Sequence, residues 1–78
     1  MKLTLKSYDT EHFINLPDEA RVNNSRQEGC IEVSVDAGTR AEEEIQSALS
    51  RIERNRHTSL TKKTTWKLFG VTEWSIEK

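Results

Sequence analysis

Residues 62–78 read KKTTWKLFGVTEWSIEK, and the way this stretch folds decides the architecture. Folded about Gly70, it sets Trp66 opposite Trp74, Leu68 opposite Thr72 and Thr64 opposite Ile76. On the other face Lys67 meets Glu73, Lys63 meets Glu77 and Thr65 meets Ser75. Opposed residues of an antiparallel pair share a face, so one register gathers the apolar side chains on one side and two opposite-charge pairs on the other. The sequence therefore predicts a terminal β-hairpin with both tryptophans inward and Phe69-Gly70-Val71 at its tip.

Working outward, residues 40–56 carry Ala41, Ile45, Ala48, Leu49 and Ile52 at the spacing of one helical face. Thr39 and Glu42 fit a capping box at the start of that helix. Before it, GCIEVSVD (29–36) alternates as a strand, with Ile31, Val33 and Val35 on one side and Cys30 on the polar parity, where partial exposure is expected. MKLTLKSY (1–8) alternates in the same way, with Met1, Leu3 and Leu5 opposed to Lys2, Thr4 and Lys6. Residues 12–16 suit a short second strand, and Pro17-Asp18-Glu19-Ala20 resembles the start of a short helix. Residues 23–29 form the most polar stretch and read as a loop. The expected fold is a single α+β domain, 1–78. It has a small antiparallel sheet of three to five strands, one amphipathic helix packed on one face, and a terminal hairpin.

The composition bounds that domain. At 78 residues with 33% hydrophobic and 32% charged side chains, the core is thin. A thin core and unpaired strand edges make self-association as a homo-oligomer an expectation. With one cysteine, no intrachain disulfide can form. Lys2 and Lys6 interrupt the N-terminus and no long apolar run follows, so the reading is cytoplasmic and not membrane-bound.

No residue cluster spells catalysis. Cys30 with His12 or His57 lacks the local setting of a nucleophile, and the three lack the spacing of zinc ligands. Consecutive residues of a helix diverge by about 100°, so Glu42, Glu43 and Glu44 cannot converge on one ion and instead complement the helix dipole. No cofactor or metal is expected.

Charge is more informative. Residues 1–50 carry −5, residues 51–67 carry +5 and residues 68–78 carry −1. Arg51, Arg54, Arg56, Lys62, Lys63 and Lys67 make the basic stripe, suited to phosphate or to an acidic partner. Its structural alternative is helix-dipole complementation by the arginines and pairing of Lys63 and Lys67 with Glu77 and Glu73. The expected function is that of a non-enzymatic protein-binding module, with Phe69, Val71, Lys63 and Lys67 as its contact residues. By size class alone, such a protein is a regulator, or a phage- or mobile-element-encoded inhibitor of a larger host protein or nucleoprotein complex, as anti-CRISPR proteins are. The alternative is nucleic-acid binding through the stripe.

Overall fold

The computed structural model describes residues 1–8, 10–25, 30–52 and 55–77. Seven strands and one helix follow in the order β1 (Lys2–Ser7), β2 (Thr10–Asn15), β3 (Arg21–Ser25), β4 (Cys30–Asp36), α1 (Arg40–Leu49), β5 (Asn55–Leu60), β6 (Lys63–Phe69) and β7 (Glu73–Glu77). The fold is α+β, antiparallel throughout and mostly β, with more strands than the three to five expected. The strands form two sheets, ordered β2-β1-β7 and β3-β4-β6-β5.

The chain does end in two strands flanking Gly70, but they are not partners of each other. β6 lies between β4 and β5, whereas β7 pairs with β1. The opposition of Trp66 and Trp74 is thus corrected: Trp66 faces Val33 and His57 across its neighbours, and Trp74 faces Leu5. The charge logic survives with other partners. Lys67 and Lys63 stand opposite Glu32 and Asp36, while Glu73 and Glu77 stand opposite Lys6 and Lys2. Gly70, at φ 76°, serves the crossing between sheets, a backbone conformation that costs glycine little. Ser7 Oγ donates to the Gly70 carbonyl at 2.5 Å and Thr72 N–H to the Lys6 carbonyl at 2.8 Å, which ties the crossing to the end of β1.

The apolar sides of both sheets and of α1 share one core. Leu3, Leu5 and Ile14 enter from the first sheet, Ile31, Val33, Val35, Trp66 and Leu68 from the second, and Ala41, Ile45 and Leu49 from the helix. Burial of that set is the main favourable term in folding, since the rest of the surface is heavily charged.

The helix is shorter than the 40–56 expected. Asn55 Nδ2 donates to the Leu49 and Ile52 carbonyls at 3.0 Å each, satisfying acceptors that the helix end leaves open. The chain then enters β5, so Arg56 is a strand residue. The expected capping box does not form: the Thr39 side chain makes no cap bond, and the Glu42 carboxylate takes the N–H one residue before the N-cap. Glu42 Oε2 accepts the Gly38 N–H at 2.6 Å, and the Thr39 hydroxyl donates backward to the Asp36 carbonyl at 2.8 Å. Residues 17–20 make a turn, closed by Ala20 N–H to the Pro17 carbonyl at 3.1 Å, and not a helix. The stretch expected to be loop is strand through Ser25, and its remainder, 26–29, lies outside the described residues.

Candidate functional site: the outer face of the β5–β6 hairpin

β5 and β6 form a hairpin closed by Thr61 and Lys62, with Leu60 opposite Lys63. Register fixes the two faces of their sheet. Trp66, opposite Val33, is core, so His57 opposite Trp66 also stands on the core side. The residues between them take the outer face. Arg56 is directly opposite Lys67, which is opposite Glu32, and Thr65 is opposite both Thr58 and Ser34. Lys63 and Phe69 share this parity.

The structure therefore unites Arg56, Lys63, Lys67 and Phe69 on one sheet face, with Lys62 exposed at the turn beside them. The Arg56 guanidinium lies 5.9 Å from the centre of the Phe69 ring, within cation–π range. Lys67 Nζ lies 3.9 Å from Glu32 Oε1, a partly shielded pair. Among the described residues neither Arg56 nor Lys62 forms an ion pair. Arg21, opposite Ser34 on the outer strand β3, extends the positive character to the other sheet edge.

Arg51, another expected member, is not on these strands. It follows the helix and lines the groove of about 820 Å³ between α1 and β2, and it also borders a smaller cavity of about 320 Å³ beside Phe69 and Val71. Arg54 lies outside the described residues. The expected tip also changes character. Phe69 and Val71 are half-buried, and Val71 packs against the core, because the Gly70 crossing is held down by β1 and does not protrude.

Cys30 is 2% exposed, against the partial exposure expected. It sits on an inner strand opposite Phe69 and is covered although its parity is the outer one. Cys30 and His57 project from opposite faces of the sheet, which separates them as reactive groups. His57 instead stacks on Trp66, with ring centroids 4.8 Å apart and planes 9° from parallel. Glu42 and Glu44 have local duties, the first at the helix start and the second 3.5 Å from Arg40 Nε.

Sequence reasoning missed the most exposed aromatics. Tyr8, in the β1–β2 turn, is 77% exposed, and Phe13, on the outer face of β2, is 64% exposed. The clue was available at Phe13, because the core parity of residues 12–16 belongs to Ile14 and leaves Phe13 on the wet side. Among the described residues, no three His, Cys, Asp or Glu side chains are grouped to hold a metal, and no helix is long and apolar enough to cross a membrane.

No protein-family model, no curated protein and no solved structure matches the chain.

Proposed function

We propose that this chain is a binding module that acts without catalysis, and that it engages an acidic surface of a larger protein through the outer face of the β5–β6 hairpin. One observation carries the reading: Arg56, Lys63, Lys67 and Phe69 share a single sheet face, with the arginine over the aromatic ring. Arginine and aromatic side chains are the residues that anchor protein interfaces, and lysines at the rim steer an acidic partner toward them. A regular sheet also holds these side chains in fixed relative positions at little entropic cost on binding. The size class favours a regulator or inhibitor of a larger complex, of the phage-encoded, anti-CRISPR kind.

A double variant, Arg56→Glu with Lys62→Glu, tests the face at two exposed positions. Affinity capture from the source cell with the parent chain should recover a partner, and the folded double variant should recover it at least ten-fold less well. Equal recovery by both overturns the assignment of this face.

The second reading, nucleic-acid binding, draws on the same pairing of Arg56 with Phe69, because an aromatic ring among bases is what a stacking platform needs. Against it, Glu32 and Asp36 stand opposite Lys67 and Lys63, and of the tryptophans Trp66 is core and Trp74 is half-buried against it. A mobility shift with generic DNA and RNA at low salt, fading steeply as salt rises, would move the conclusion to this alternative.

A further inference from the structure

The four sheet edges differ in what they offer a neighbour, and β2 is the distinctive one. Leu16 N–H donates to the Met1 carbonyl at 2.8 Å, and the Met1 ammonium donates to the Leu16 carbonyl at 3.1 Å. In an antiparallel ladder bonded and unbonded pairs alternate, so Ile14, His12 and Thr10 also bond to β1. The N–H and C=O groups of Glu11, Phe13 and Asn15 consequently point away from the sheet. Among the described residues nothing hydrogen-bonds to them. The same three residues carry the exposed Phe13 ring, and the open groove beside α1 leaves this edge accessible.

We infer that β2 pairs with β2 of a second copy of this chain, antiparallel about a two-fold axis through Phe13, joining two three-stranded sheets into one. The axis dictates the partners, since each residue meets the one equally far beyond position 13. Phe13 meets Phe13 of the second copy, and Glu11 meets Asn15 twice, all on the solvent face. His12 meets Ile14 on the core face. The result is one cross-strand aromatic pair, two amide-to-carboxylate pairs and no like charges. Lys2 Nζ, already 5.7 Å from the Phe13 ring centre, flanks the aromatic pair.

The other edges fail this self-complementarity. On β7 a two-fold axis through Ser75 sets Glu73 against Glu77 twice, a charge repulsion that guards the edge. On β5 it would set the basic faces of two copies edge to edge, with Arg56 of each on the abutting strands. β3 offers no exposed large apolar side chain among its described residues.

Asn15 provides a test whose signs separate dimer from fold. Within the chain Asn15 stands opposite Lys2, so Asn15→Glu adds an intrachain opposite-charge pair while setting carboxylates face to face twice across the axis. Asn15→Lys does the reverse in both respects. Sedimentation equilibrium of the full chain, from micromolar to millimolar, should give a mass of twice 9.0 kDa. Asn15→Glu should raise the dissociation constant about ten-fold at low salt, and Asn15→Lys should lower it at least three-fold. Ser75→Lys, on β7, should leave it unchanged, with circular dichroism confirming the fold of each variant. A monomer mass at millimolar concentration, equal effects of the two Asn15 variants, or a dimer disrupted by Ser75→Lys overturns the inference.

Discussion

Replacing His57 with alanine should destabilise the protein although the imidazole is itself exposed. Trp66 is 2% exposed, yet it lies on β6, one strand from the sheet edge, where β5 alone stands between it and solvent on that side. His57, opposite it on β5, stacks at 4.8 Å and 9° and shields the indole. A stacked aromatic pair contributes about 0.5–1.5 kcal/mol beyond its area. Uncovering roughly 40 Å² of indole face at about 25 cal/mol per Å² adds about 1 kcal/mol. The expected loss is then about 2 kcal/mol, equivalent in a domain of this size to roughly 8–16 °C in Tm. Urea unfolding measures the loss, and Trp66 fluorescence reports the cause once a Trp74→Phe background removes the second indole. In that background His57→Ala should red-shift the emission and raise acrylamide quenching, and His57→Phe should restore both. A variant within about 0.5 kcal/mol of its parent, with unchanged quenching, would show that the imidazole is no lid, since surface substitutions ordinarily fall in that range.

Leu68→Ala should be far more damaging. Its side chain is fully buried on a strand between two neighbours, and such truncations cost about 2.7–5 kcal/mol, much of the ~5–15 kcal/mol that holds a domain together. Urea unfolding followed by circular dichroism should show a lower midpoint or no cooperative transition. The Cys30 thiol should react with a chromogenic disulfide reagent at least a hundred-fold more slowly in buffer than in urea, because its burial protects it. Equal rates would return Cys30 to the exposed position that its parity implied.

The faces of β1, β4, β6 and β7 were legible, and their partners were not. Alternation assigned Leu3, Leu5, Val33, Val35, Trp66 and Leu68 to the core side, where the structure has them. Parity cannot choose among partners, however, because any two alternating strands sort their faces in some register. β6 gains Ile31, Val33 and Val35 by pairing with β4, and β7 gains Leu3 and Leu5 by pairing with β1. Each combination also satisfies the lysines and glutamates that a hairpin at Gly70 would have joined. Turn chemistry misled in the same direction. The described residues that turn two of the real hairpins, β1–β2 and β5–β6, include Tyr8 and Thr61, both at φ 55°, positions where glycine or asparagine is the usual signal. Gly70 carried the expected signal at a place where the chain changes sheets instead.

The same exchange of partners explains why the basic stripe gathers only partly on one surface. A run of charge in sequence becomes a patch only if its residues share one face of one element. The helix stops at Leu49, which leaves Arg51 on the α1–β2 groove and carries Arg56 into β5. Strand parity then selects Arg56, Lys63 and Lys67 for the outer face and turns His57 inward onto Trp66. Removing Trp74 and β7 to the other sheet leaves β6 free to be an inner strand, flanked by β4 and β5. An inner strand holds its lysines more rigidly than a protruding hairpin tip would, and it places Glu32 against Lys67 on one side and Arg56 on the other. The face proposed for recognition is therefore the flat of a four-stranded sheet. The open edge that suits a second copy belongs to the other sheet, so both contacts can form on one molecule.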